Sequence, residues 1–335
     1  MRTRSLLLTI LLSAPLAAET HTAVAERYFN SFHHRHAVLK RISSGDTVIT
    51  KTIDAAGYDL KNAKVGERPN PLTGPFYVEG AESGDAIAVL FRKIRMNRST
   101  GWTGYRLLLQ SLTPDSIEGL YPSRYKDDLV QPGRNNLVPW DLDLARNTVR
   151  LREPSSAKVK FEYPARPMLG CVGVAAAEDF GPPSSISGPY GGNMDYNEVA
   201  EGATVILPVF HPGALLFIGD GHALQADGEP TGTGVETSMD VEFTVTLRKK
   251  AGVANPRLEN DKYLISIGSQ PEFQTPLDRA LQVATTEMTR WLTRDYGLEP
   301  WAAHLLIGYQ GKYDVITVMG SMGLRIPKKA LPPGR

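Results

Sequence analysis

Gly188 to Thr237 reads GPYGGNMDYNEVAEGATVILPVFHPGALLFIGDGHALQADGEPTGTGVET. Thr204 to Phe210 and Ala214 to Ile218 are short apolar runs on either side of the turn His211-Pro212-Gly213. Runs of that length, bounded by Gly and Pro, read as buried strands rather than helices. Asp195, His211, Asp220, His222, Gln225, Asp227, Glu229 and Glu236 crowd the turns around them. Glycine lets the backbone take positive φ or approach a ligand closely, so polar groups on such turns can converge on a small molecule.

The same pattern extends outward. Met239 to Leu247 alternates, with Val241, Phe243, Val245 and Leu247 on one side, as in a sheet with one wet face. Asp46 to Asp54, Phe76 to Glu79, Asp85 to Ile94, Tyr105 to Ser111, Asn147 to Arg152, Lys158 to Tyr163, Leu169 to Val174 and Tyr263 to Ile267 are further strand candidates. One long helix signal stands late in the chain. Thr275 is placed to cap it, Pro276 takes the first position, and Leu277, Leu281, Ala284, Met288, Trp291 and Leu292 form an apolar stripe ending before Gly297. A second helix starts at Pro300 and carries Trp301, Leu305 and Leu306. The expectation is a mainly β chain: two β domains, a sandwich or jelly roll plus a barrel-like partner, with the helical pair at about 275–309 as an α+β excursion. Pro164 to Met168 is the expected boundary between an N-terminal β domain, 19–163, and a C-terminal β-rich domain, 164–335. Thr113 to Asp143, without a clear period, reads as a surface excursion.

Arg2 and Arg4, the apolar run Leu6 to Leu12 and the small residues around Ala14 to Ala18 form a secretory signal peptide, 1–18, with the periplasm as the expected address. That run is too short to span a bilayer and no later one approaches the length, so no membrane is expected for the mature chain. The 37 basic and 36 acidic residues nearly balance, which offers no field for nucleic acid. Cys171, the only cysteine, excludes an internal disulfide, and its position between Gly170 and Val172 reads as small core filler. His33, His34 and His36 could bind a metal or form a solvated basic turn. The Ser-rich loop Gly181 to Gly188 invites comparison with nucleophile loops, but its spacing fits poorly and no Lys stands ready to activate a serine. His304 reads as a helix-surface or core residue.

Several motifs in order carry a resemblance. They are Gly191 to Asp195, Leu207 to Leu215, Gly219 to His222, Gln225 to Glu229 and Thr231 to Thr237, preceded by Asn70-Pro-Leu-Thr-Gly-Pro-Phe-Tyr-Val-Glu-Gly-Ala-Glu-Ser-Gly-Asp85. Together they resemble the acetamidase/formamidase family of amide hydrolases, with weaker likeness at Ser44 to Val48 and Leu169 to Val174. The resemblance implies the same β architecture, a small amide substrate and a homo-oligomer. Two departures stand out: Lys312 to Met319 replaces the family's usual run there, which implies an altered amide preference, and Ala226 stands where the family has glycine.

Amide hydrolysis needs an activated water, a stabilised oxyanion and a proton for the departing nitrogen. With no credible Cys or Ser nucleophile, water activated by a metal, with a carboxylate acid/base, is the economical solution. Asp195, His222 and Glu236 offer mixed ligands for a divalent ion, zinc first and calcium second. Glu79 is the expected proton shuttle, oriented by Asp54, with Asn193, His211, Asp220 and Gln225 as substrate-binding groups. Asp220, Asp227 or His211 could replace a ligand, and Asp195 and Asp227 also suit plain turns. The competing reading is a non-catalytic periplasmic β-sandwich that binds calcium or a saccharide; a third is an amidase acting on a larger amide.

Overall fold

A computed structural model describes residues 18–113, 115–116, 137–152, 158–269 and 276–332. The expected signal peptide up to residue 17, Thr275 and most of the expected surface excursion lie outside them. None of the described helices is long and apolar enough to cross a membrane.

The chain is mainly β, built on two large sheets. One runs Thr20–Thr22, Thr47–Lys51, Met239–Arg248, Ala86–Met96, Thr204–Pro208, Arg257–Glu259, Tyr263–Ser269, Ser321–Pro327 and Lys312–Thr317. Alternation along Ala86–Met96 gives this sheet two apolar faces: Ile87, Val89 and Phe91 enter the core between the sheets, while Ala86 and Ala88 face the helices. The sheets meet where Phe76 of one packs edge-on against Phe243 of the other, ring centroids 5.2 Å apart. Each such fully buried ring contributes about 1.5–3 kcal/mol. As the alternation predicts, Val241, Phe243 and Val245 are buried, with Leu247 half-buried at the end.

The helix α1 (Leu277–Asp295) lies on the outer face, over Tyr263–Ser269 and Ser321–Pro327, followed by α2 (Pro300–Gln310). Ala284, Met288, Trp291 and Leu292 are buried as expected, but Leu277 and Leu281 are only half-buried, and Ala280 and Glu287 take the inner positions. Glu287 is tolerated there because it accepts from Arg257 Nε at 2.7 Å. His304 is exposed on α2.

The eleven-stranded sheet runs Ser187–Gly188, Gly191–Asn193, Met168–Gly173, Leu216–His222, Glu236–Thr237, Thr100–Thr103, Val138–Asp143, Thr148–Leu151 and Glu162–Pro164. It forks along Leu216–His222. The first half of that strand pairs with Thr73–Val78, which in turn pairs with Lys40–Ile42; the second half pairs with Glu236–Thr237. Both sheets draw strands from either side of residue 164, so the expected boundary there does not separate them.

Candidate active site

The fork aligns a row of side chains. His222 lies opposite Glu236 on one neighbouring strand and Met168 on the other, and Glu236 lies opposite Trp102. Asp220, two residues before His222, projects to the same face. The adjoining pair Met168–Gly173 and Gly191–Asn193 brings Asn193 opposite Cys171 and delivers Asp195 on the following turn. Glu229 arrives from the turn after Gln225. Asp195, Asp220, Glu229, Glu236 and His222 are all buried.

Local backbone geometry fits this convergence. Asn70, Asp195, Asp220 and Glu229 have φ of 38°, 50°, 57° and 41°, a left-handed conformation that costs side-chain-bearing residues about 1–3 kcal/mol each. All four line one cavity of about 390 Å³. Ala226, by contrast, is absent from the described positive-φ residues, so its replacement of glycine causes no such strain. Gly170 lies directly beneath the cluster: a Cβ there would collide with carboxylate oxygens of both Asp195 and Asp220. Gly234 likewise leaves room for the His222 ring.

An amide relay holds the acidic groups. Gln225 Oε1 is 2.6 Å from His222 Nδ1, and its Nε2 donates to the Asp195 carbonyl at 2.6 Å. Because an amide oxygen only accepts, Nδ1 carries the proton in the neutral ring, and Nε2 presents its lone pair to the cluster. Nε2 lies 3.0 Å from Glu236 Oε1 and 3.5 Å from Asp220 Oδ1, yet neither contact has hydrogen-bonding geometry. Asn70 Nδ2 donates to Asn193 Oδ1 at 2.7 Å and to Asp220 Oδ2 at 3.0 Å, and Asn193 Nδ2 donates to Asp195 Oδ2.

No Lys or Arg among the described residues pairs with these carboxylates. Burial, then repulsion from Asp220, raises Asp195 to about 7. Burial raises Glu236 to about 8 despite the opposing pull of His222, and burial with repulsion from Asp195 puts Glu229 well above its ordinary value. For His222 burial acts to lower the pKa, but Glu236 and Asp220 together raise it well above normal. Asp195 Oδ1, Asp220 Oδ1, His222 Nε2 and Glu236 Oε2 are buried without a hydrogen-bond partner. Unpartnered buried donors and acceptors are costly, and a divalent cation would satisfy this set. The sets Asp195, His222, Glu229 and Asp220, His222, Glu236 each bring ligand atoms within 4.8 Å of one another. An imidazole beside carboxylates suits zinc or a similar ion, whereas calcium favours oxygen alone.

The structure therefore brings together Asp195, His222, Glu236, Asp220, Asn193 and Gln225 from among the expected residues. It does not bring in Glu79, which is exposed and accepts from Arg41 Nε at 2.6 Å and Nη2 at 3.2 Å on the adjoining parallel strand. Asp54 is buried but accepts from Arg98 Nη2 at 2.7 Å and Trp102 Nε1 at 3.1 Å, and so fixes the cavity wall rather than a proton shuttle. His211 stacks on His34, centroids 4.3 Å apart, outside the cavity, and its Nε2 meets the Ala176 carbonyl at 2.8 Å. Asp227 is an exposed turn residue that accepts from Asn197.

Cys171 lies under the site, its thiol donating to Asn193 Oδ1 at 2.8 Å. Burial, followed by Asp220 and Asp195, drives its pKa well up, which leaves no thiolate nucleophile. His33 and His34 each place Nε2 3.7 Å from Asp179 Oδ1. His33 Nδ1 accepts the Arg35 backbone N–H, so its Nε2 carries the proton, and Arg35 already pairs with Asp179 at 2.7 Å. That arrangement is a polar turn rather than a ligand set. Asn70 and Glu229 are the additions to the site: Asn70 heads the Asn-Pro-Leu-Thr-Gly-Pro motif, and Glu229 closes the Gln-Ala-Asp-Gly-Glu turn.

Comparison with known proteins follows the same residues. The Acetamidase/Formamidase family model matches residues 183–307. A Schizosaccharomyces pombe protein provisionally named a formamidase is 24% identical over 279 residues, 70% of this chain and 67% of that protein. The crystal structure of an acetamidase from Yersinia enterocolitica shares 28% identity, with a TM-score of 0.77 covering 96% of each chain. A predicted acetamidase/formamidase from Thermoanaerobacter tengcongensis shares 26% identity, with a TM-score of 0.73 covering 94% of this chain and 97% of that one.

Proposed function

We propose, from the match to the acetamidase/formamidase family model over residues 183–307 and the likeness to acetamidases along the chain, that this amidase splits the carbon–nitrogen bond of a small amide, giving carboxylate and ammonia, in the cavity over Asp195, His222 and Glu236. The observation that carries this reading is the convergence of Asp195 Oδ1, Asp220 Oδ1, His222 Nε2 and Glu236 Oε2, all buried and unpartnered, beside a cavity that Asp195, Asp220 and Glu236 line. These four residues would hold a divalent ion, zinc by the nature of the donors. When bound, such an ion polarises a carbonyl and acidifies water.

The remaining steps are work for the chain's own groups. Gln225 fixes the tautomer and tilt of His222, and Asn70 and Asn193 orient the two aspartates. Glu229, on the cavity wall with a raised pKa, is the carboxylate suited to take a proton from the attacking water and return it to the nitrogen. The carbon–oxygen bond forms first, pushing the carbonyl electrons onto oxygen; as that oxyanion collapses the carbon–nitrogen bond breaks, the nitrogen takes the proton, and carboxylate and ammonia leave. Trp102, Leu108 and Leu137 on the wall limit water around the reacting groups. The leader-like segment Met1 to Ala18 supports export to the periplasm, and the family resemblance supports a homo-oligomer.

Ammonia release from short amides by metal-loaded protein tests the reading. Glu229→Gln should lose at least hundredfold in turnover while keeping its metal. Binding of metal with no turnover of any amide would leave the binding-protein reading instead.

A further inference from the structure

The cavity is much larger than the smallest amides require, and its lining is of more than one kind. Formamide and acetamide occupy on the order of two or three waters, each about 30 Å³ of liquid, against a cavity of about 390 Å³. One part of the lining is the carboxylate cluster. Another part is an apolar belt that includes Leu108, Leu137, Ile186 and Met319. Arg68 is the only Lys or Arg among the described lining residues.

Arg68 is exposed, and among the described residues its guanidinium makes no hydrogen bond or ion pair, not even with the acidic groups of the same cavity. It is nonetheless placed: its Cζ stands 5.4 Å from the centroid of the Trp102 ring, within cation–π reach. Trp102 is itself held by the Asp54 carboxylate, and that carboxylate is neutralised by Arg98 at 2.7 Å, so it does not serve as the counter-charge of Arg68. A guanidinium with planar donors, positioned and unpaired, is suited to take a carboxylate.

We propose that the amide hydrolysed here carries a carboxylate, bound by Arg68 on Trp102, and an apolar chain that lies along the belt and sets the amide at the acidic cluster. Monoamides of medium-chain dicarboxylic acids are the substrate class. The inference rests on the amidase reading, and it assigns Arg68 as the residue that determines specificity.

The test compares three substrates on metal-loaded enzyme by ammonia release: acetamide, hexanamide, and the monoamide of adipic acid, which matches hexanamide in length but carries the anion. The wild-type protein should favour the acid monoamide over hexanamide at least tenfold in kcat/KM. Arg68→Gln should reduce that ratio at least tenfold, mainly through KM, and Arg68→Lys should retain part of it. Added salt should raise KM for the acid monoamide more than for hexanamide. A wild-type ratio near unity, or one indifferent to Arg68→Gln, with acetamide still hydrolysed, overturns this inference and leaves the amidase reading intact. No ammonia from any of the three overturns both.

Discussion

Gly170→Ala probes the site without touching any group that would react. Gly170 lies in Met168–Gly173, where its φ is outside the left-handed region, so alanine suits the backbone. The added Cβ meets only the problem above it, the Asp195 and Asp220 oxygens. Those carboxylates cannot both yield freely, since Asp195 is tied to Asn193 and Asp220 to Asn70, on backbones already at φ 50° and 57°. Overpacking of this kind costs about 1–3 kcal/mol. The effect on turnover should be larger than the effect on folding, because a displacement of about 1 Å at a reacting centre costs on the order of a hundredfold. Gly308→Ala is the control: nothing stands within 4 Å of a Cβ there, in the last turn of α2, and alanine should stabilise the helix by at most about 0.5–1 kcal/mol. Urea melts and ammonia release on both variants measure the two quantities. Wild-type turnover in Gly170→Ala would refute the placement of the two aspartates.

Other groups make separate predictions. Gln225→Leu leaves His222 Nδ1 and the Asp195 carbonyl unpaired, so metal affinity should fall about 10–100-fold and be read by chelator competition. Glu79→Gln removes only a surface pair with Arg41, so the melting curve and turnover should both stay close to the wild type's. Asp46 is raised by burial but more strongly lowered by the N–H groups of Glu19 and Ser43 and by His21, and it sits below its ordinary 3.8 in the fold. A depressed carboxylate stabilises above its unfolded pKa, so the wild-type advantage over Asp46→Asn should be full at neutral pH and shrink as pH falls through 3.8 and below, seen in melts across that range.

The strands were legible where alternation or apolar runs are sharp, as in Met239–Arg248 and Leu216–His222. Their partners were not. Thr47–Lys51, Met239–Arg248 and Ala86–Met96 lie side by side through pairings that no local pattern encodes, which is also why a boundary at residue 164 looked natural. Asp195, Asp220, His222, Gln225 and Glu236 were legible because one stretch of motifs carries them all. His211 belongs to that stretch but sits where the chain leaves one sheet for the other, between Thr204–Pro208 and Leu216–His222, and the crossing carries it away from the cavity. Glu79 misled because apolar neighbours suggested burial, whereas the strand ends at Val78 and the next side chain meets Arg41 at the surface. Asn70 and Glu229 join the site through left-handed backbone turns, a conformation that Asn favours but Glu does not announce.

The most direct measurement is the divalent metal content of protein purified without chelators, taken together with ammonia release before and after stripping, for the wild type and His222→Ala. The account predicts a single bound ion per chain, turnover lost on stripping and restored by zinc, and a folded His222→Ala protein deficient in both metal and activity. Full turnover by thoroughly stripped protein, or an ion retained and an amide hydrolysed undiminished by His222→Ala, would contradict it.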